Sequence, residues 1–149
     1  MSITLKMGDE IGPKRGFVAS SFDLLHAGHC IMLEDAKSKC DYLIAALQTD
    51  PTIDRPEKNK PIQSLDERYI VLNSNKNVDE IILYKTEEEL YEIIQLLEPD
   101  VRILGSDWEN KNFTGKGLIK EVYFHDRSHG YSTSELRNRI YKAEAKRYG

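Results

Sequence analysis

The stretch that decides the fold is Gly16-Phe17-Val18-Ala19-Ser20-Ser21-Phe22-Asp23-Leu24-Leu25-His26-Ala27-Gly28-His29. An apolar run leads into a short turn, and an amphipathic segment from Cys30 to Cys40 follows. The order is strand, tight loop, helix. His26 and His29 stand three residues apart, so both fall on one side of the helix's first turn. The first backbone N–H groups of that helix and the positive end of its dipole point the same way, which suits phosphate. Gly28 lets backbone or ligand come close to the chain.

Working outward, Tyr42 to Leu47 is a continuous apolar run, as expected for a parallel strand covered on both faces. Thr49 to Gln63 is polar, carries Pro51, Pro56 and Pro61, and reads as a loop. Ser64-Leu65-Asp66-Glu67 is a capping box that opens a helix running to about Ser74. Glu80 to Tyr84 is a strand. Thr86 to Glu89 is a second capping box, and Leu90, Ile93, Ile94 and Leu97 give the buried stripe of the next helix, which Pro99 stops. Val101 to Leu104 is a strand ending at Gly105, Asn110 to Gly117 is a loop, and Val122 to Phe124 is the last strand. Ser132 to Glu135 is a third capping box, with Leu136, Ile140 and Ala143 as the expected buried side of a final helix.

Strands alternate with helices, which means βαβ units, a parallel sheet and right-handed crossovers. The expected fold is α/β, a Rossmann-like three-layer sandwich with a five-stranded parallel sheet in the order 3-2-1-4-5. Ligands in such sheets sit at the carboxyl ends of the strands. The histidine turn, the 49–63 loop, the Gly105 turn and the Arg127-to-Thr133 stretch all follow strands, so they share one rim.

With 149 residues the chain reads as one domain. Residues 1–15 form an N-terminal arm, in which Ile3, Leu5 and Met7 alternate as in a short strand, and residues 16–149 form the domain proper. A net charge of −4 gives no case for nucleic acid. No apolar run approaches the ~20 residues of a membrane span. Met1 to Arg15 lacks the apolar core of a signal peptide, so a cytoplasmic protein is expected. Cys30 and Cys40 lie on one helix roughly 15 Å apart, too far for a disulfide, and both read as packing residues.

Three further clusters carry chemistry. In His125-Asp126-Arg127-Ser128-His129-Gly130-Tyr131-Ser132-Thr133-Ser134, the Ser132 and Thr133 hydroxyls lie beside a helix N-terminus and make a second phosphate cradle. Arg127 offers a planar, charged fork of the kind that suits phosphate. His125 and His129 read as surface histidines. Gly105-Ser106-Asp107-Trp108 frees a turn whose backbone can read a base edge, and Lys58-Asn59-Lys60 is a basic pair in a loop.

The string Phe22-Asp23-Leu24-Leu25-His26-Ala27-Gly28-His29 resembles the HxGH motif of the cytidylyltransferase-like nucleotidyltransferases, the family that includes glycerol-3-phosphate cytidylyltransferase. Arg127, Gly130, Ser132 and Thr133 match the family's R-T-E-G-I-S-T-T string, and Gly105, Asp107 and Trp108 its G-D-D-W. The resemblance runs from about Gly16 to Ile140. It implies in-line attack by an acceptor phosphate on the α-phosphorus of a nucleoside triphosphate. It implies catalytic roles for His26, His29, Lys58 and Arg127. Nucleotide contacts are implied at Ser21, Phe22, Asp23, Gly28, Lys60, Gly105, Asp107, Arg127, Gly130, Ser132 and Thr133, and substrate contacts at Lys58 and Arg68. Asp23 is expected to orient a neighbouring loop or a magnesium ion, or to serve only as a turn-forming Asp. Magnesium is expected to ride mainly on the nucleotide phosphates, with no metal held by protein ligands, and a homodimer is implied.

The expected reaction is CTP plus a small phosphorylated alcohol giving a CDP-alcohol and pyrophosphate. The rival is adenylyl transfer to a sugar phosphate or a flavin, since that branch shares F-D-x-L-H-A-G-H. A nucleotide-binding regulator without turnover is the third reading, supported by Ser20 where family members carry glycine. Lys76 also departs from a family arginine. Leu90, behind Glu87-Glu88-Glu89, stands where a lysine grips glycerol 3-phosphate, so that acceptor is expected to be poor.

Overall fold

The computed structural model describes residues 12–148. Five strands, β1 (Arg15–Ser20), β2 (Tyr42–Gln48), β3 (Glu80–Tyr84), β4 (Val101–Gly105) and β5 (Glu121–His125), pair in parallel in the order β3-β2-β1-β4-β5, the order expected from the sequence. The helices are α1 (Ala27–Ser38), α2 (Leu65–Asn73), α3 (Glu87–Leu97) and α4 (Thr133–Tyr148), with single 3-10 turns at Pro51–Ile53 and Ser106–Trp108.

The alternation along each central strand feeds two cores. Val18, Leu43, Ala45, Leu47, Val101 and Ile103 pack with Leu33 and Ala36 of α1 and Leu72 of α2 on one face. Phe17, Ile44, Ala46 and Tyr84 pack with Leu90 and Ile94 of α3 on the other. Both faces are covered, so β2 tolerates a run in which Leu43 to Gln48 are all buried. Chain order reverses direction at β1, which places a crevice at the carboxyl ends of β1 and β4.

The first strand begins at Arg15. The Arg15 N–H donates to Asp100 at 2.7 Å, and its guanidinium binds the carbonyls of Leu97 and Glu98 at the end of α3. The rest of the expected arm, Met1 to Ile11, lies outside the described residues. Ser64 and Glu67 form the expected reciprocal box. The second box is half formed: Thr86 caps the Glu89 N–H, but the Glu89 carboxylate turns back to the Lys85 N–H instead. At the third, Ser132 caps the Glu135 N–H while the Glu135 carboxylate pairs with Arg139.

Two expectations about packing fail. α4 has no buried residue; Ile140 is 47% exposed, because the helix leaves the sheet at the rim instead of lying across it. Cys30 is exposed, since α1 turns only its Leu33 and Ala36 stripe to the sheet; both cysteines are free.

Candidate active site

The turn after β1 is built under strain. Phe22 and Leu24 both take positive φ, 48° and 52°, a conformation that costs a non-glycine residue about 1–3 kcal/mol. Three anchors hold it. The Phe22 ring is buried in the core. The Asp23 carboxylate accepts from the Ile62 and Gln63 N–H groups at 2.9 and 3.0 Å. The Leu24 N–H donates to the Gln63 side chain at 2.8 Å. Asp23 therefore staples the histidine turn to the end of the 49–63 loop, the first of the roles expected for it. Phe22 can offer a nucleotide only backbone.

The two histidines cap their own helix. His26 Nδ1 accepts from the Gly28 N–H at 3.0 Å, and His29 Nδ1 accepts from the His26 N–H at 3.1 Å. An accepting Nδ1 leaves the proton of each neutral ring on Nε2. His26 Nε2 lies 3.1 Å from the Thr133 hydroxyl at the start of α4, and the two rings sit 4.1 Å apart. Burial, then His26 and Arg127, pull the His29 imidazole down to about 4. Burial, then Arg127 and His129, lower His26 as well, against a smaller opposing effect of Glu135. At neutral pH both rings are uncharged N–H donors.

Gly28 is required where it stands. A Cβ there would lie 3.0 Å from the Tyr131 carbonyl and 2.9 Å from the His26 ring. Its absence lets the histidine turn and the 127–133 loop touch. Gly105 does the same on β4: a Cβ would meet Asp107 at 2.5 Å and the Arg127 side chain at 2.8 Å. Arg127 pairs with Asp107 at 3.3 Å, and its N–H donates to Ser106. Gly130, at φ 77°, closes the turn that hands the chain from Arg127 to Ser132.

The rim holds one cleft with two lobes. The first, about 350 Å³, lies over the α3 face, with Ser21, Lys58, Glu87, Arg102, Phe113 and Arg137 among its walls. The second lies over β4 and β5 and takes in His26, Gly105, Asp107, Arg127, Tyr131 and Ser132. Ser20, His29, Trp108 and Thr133 line both, so the lobes meet at His29, with His26 on the side of the second lobe.

Most residues expected from the sequence converge here, but Phe22, Lys60, Arg68 and Gly130 line neither lobe: Phe22 is buried in the core, and Gly130 serves the turn. Arg68 is 2% exposed and donates to the carbonyls of Ser21, Gln48, Thr49 and Gln63. It shapes the loop from beneath and cannot reach a substrate. Lys60 is turned out of both lobes to within 3.9 Å of Asp50, leaving Lys58 as the lysine of that pair on the cleft wall.

Sequence reasoning missed two groups. His125 is buried, not superficial. Its Nδ1 meets Asp35 at 2.7 Å and its Nε2 meets His129 at 3.3 Å, while Tyr123 donates to the same Asp35. His129 Nδ1 in turn accepts from the Tyr131 N–H, so this relay braces the loop that carries Arg127. Arg102 lies mid-strand on β4 at 4% exposure, and burial pulls its guanidinium down to about 10. The visible signal was a charged residue between apolar neighbours, Val101 and Ile103, in a strand of a parallel sheet.

Among the described residues no cluster of three His, Cys, Asp or Glu side chains could hold a metal. Asp23 is committed to the loop and Asp107 to Arg127.

The sheet is doubly wound, and the histidine turn and the start of α4 meet at its switch point. The chain belongs to the cytidylyltransferase-like family, whose model matches residues 17–139. It is 38% identical over 130 residues to bifunctional protein HldE of Wolinella succinogenes, covering 87% of this chain and 27% of that protein. HldE of Helicobacter pylori is 37% identical over 125 residues, covering 83% and 27%. The chain thus spans about a quarter of the length of these relatives, which carry the name HldE and not that of a glycerol-phosphate enzyme. Among solved structures, a lipopolysaccharide core biosynthesis protein from Thermoplasma volcanium aligns with a TM-score of 0.63 at 26% identity, covering 76% of this chain and 98% of that one. A pantoate-β-alanine ligase from Francisella tularensis aligns with a TM-score of 0.55 at 19% identity, covering 87% and 70%, and shares the fold.

Proposed function

We propose that this domain transfers a nucleotidyl group from ATP to the phosphate of a sugar, releasing pyrophosphate. An oxygen of the acceptor phosphate attacks the α-phosphorus in line, and the bond to the bridging oxygen of pyrophosphate breaks. Such transfers need positioning and neutralisation of spreading charge more than covalent help. The Nε2–H groups of His26 and His29 donate to the phosphoryl oxygens where the lobes meet. Arg127, Ser132 and Thr133 bind the outer phosphates, and Lys58 faces the acceptor phosphate. Magnesium, carried on the triphosphate, supplies further neutralisation.

The observation that carries this reading is the two-lobed cleft joined at His29 and Thr133, which suits two phosphorylated ligands meeting end to end. The lipopolysaccharide core protein among the structural relatives supports a saccharide acceptor. The Phe22-to-His29 string, shared with sugar-phosphate and flavin adenylyltransferases, supports ATP. A second reading, CTP as donor, is favoured by the Arg127-to-Thr133 string. In either reading residues 16–149 act as the catalytic unit, in the cytoplasm and as a homodimer, with residues 1–15 as an arm.

Pyrophosphate release tests the proposal, with kcat/KM measured for ATP and CTP over hexose 1-phosphates and glycerol 3-phosphate. ATP ahead, with a sugar phosphate preferred, is the expected result. CTP ahead would replace the donor, and no release with any pair would leave only a nucleotide-binding regulator.

A further inference from the structure

The first lobe is walled, beyond the histidines, by polar side chains that the transfer chemistry does not use. Arg102 stands on the α3 face of β4 with the Phe17 and Phe113 rings each 5.6 Å from its guanidinium carbon. Its Nη1 donates to the Thr114 carbonyl at 2.9 Å, but its buried Nε has no partner among the described residues. Glu87, in the first turn of α3, pairs through one oxygen with Arg55 at 2.7 Å; its other oxygen is buried and unpartnered. Gln48 and Tyr84 line the same lobe.

A guanidinium buried without a bonded carboxylate is costly, and an apolar side chain of its size would serve the strand better. A donor lacking an acceptor and an acceptor lacking a donor, on the walls of one cavity, match a group that is both: a hydroxyl. The cavity, about 350 Å³, is at the small end of the usual ~300–1,000 Å³ for ligand pockets, so a monosaccharide suits it better than a flavin.

We propose that Arg102 and Glu87 form an acceptor subsite that reads hydroxyl groups on the part of the sugar remote from its phosphate. The inference rests on the sugar-phosphate reading and deepens it by naming what selects the acceptor. The Glu87 carboxylate accepts from a sugar hydroxyl and the Arg102 guanidinium donates to one. Arg55 holds Glu87 in place from the loop side, so it is a positioning residue.

The test compares wild type, Arg102→Met and Glu87→Gln by pyrophosphate release, with D-mannose 1-phosphate, D-glucose 1-phosphate and glycerol 3-phosphate as probes, and follows thermal melting. Hydrogen bonds to charged groups imply a rise in KM for the sugar phosphates of roughly 10- to 100-fold. The KM for the triphosphate should stay within about twofold, and the preference for sugar phosphate over glycerol 3-phosphate should shrink. Arg102→Met should melt at or above wild type, because a buried cation has been removed. Should that variant fail to fold, Glu87→Gln carries the kinetic comparison alone. Unchanged sugar-phosphate KM values, or a lower melting temperature as the only effect, would reduce the pair to structural residues. A wild type that releases pyrophosphate with neither hexose phosphate would overturn the parent reading and the subsite with it. A wild type that turns them over while both variants keep its KM would overturn the subsite alone.

Discussion

His29 is an N–H donor held neutral by its surroundings, and that state has two measurable consequences. The first is catalytic. Removing one donor that stabilises developing charge costs ~10²–10³ in rate. His29→Ala and His26→Ala should both fall in that range, His26→Ala with a further loss of about 1 kcal/mol in stability from the missing cap. Steady-state rates within threefold of wild type would remove the histidines from the chemistry. The second is a pH dependence. In the unfolded chain His29 titrates near 6.5, in the fold at about 4. Between these values the unfolded chain binds more protons, so stability falls on acidification through that window and is unaffected above it. The loss is of order 3 kcal/mol. Urea denaturation of wild type and His29→Gln at pH 7, 5 and 4 should show a shallower decline in the variant.

At the scale of an element, the 49–63 loop owes its position to side chains outside it. Asp23 holds its end through two N–H groups, and Arg68 holds its start through the Gln48 and Thr49 carbonyls. Asp23→Ala should strand the two N–H groups, destabilise the fold by about 1–3 kcal/mol and let Lys58 drift from the cleft. Limited proteolysis should then cut within residues 54–60 faster than in wild type, and the acceptor KM should rise. Equal proteolysis would mean that the loop is held by its own contacts.

The same loop marks where the sequence stops speaking. The strand order and the three capping serines or threonines were legible, because period, apolar runs and local hydrogen bonds are written in neighbouring residues. So was the pairing of His26 and His29 with Ser132 and Thr133 on one rim. Arg68 and Lys60 were not, because what decides between a substrate contact and a carbonyl clamp is which backbone comes to rest beside the side chain. His125 was misread for a similar reason: its partner Asp35 lies 90 residues earlier in the chain, on α1. Arg102 stood in plain view, but that its Nε would lack a partner could not be read from neighbouring residues.

For the whole molecule, α4 is the element the monomer uses least. None of its residues is buried, and Ile140, Tyr141 and Tyr148 are 47, 72 and 76% exposed. Its first turn nevertheless supplies Thr133 to His26. The proposed homodimer predicts that sedimentation at micromolar concentration gives twice the chain mass, and that hydrogen exchange in 141–148 is slow in the dimer. A monomer whose last helical turns exchange freely would contradict it.

The shared waist of the cleft bears on how the reaction ends. In the proposed reaction each starting ligand takes one lobe, but the sugar nucleotide, as one molecule, takes both. It therefore competes with the triphosphate and with the acceptor alike, and should be the last ligand to depart, after pyrophosphate. End-product feedback then needs no separate regulatory site: accumulation of the sugar nucleotide throttles its own synthesis at the place where it was made.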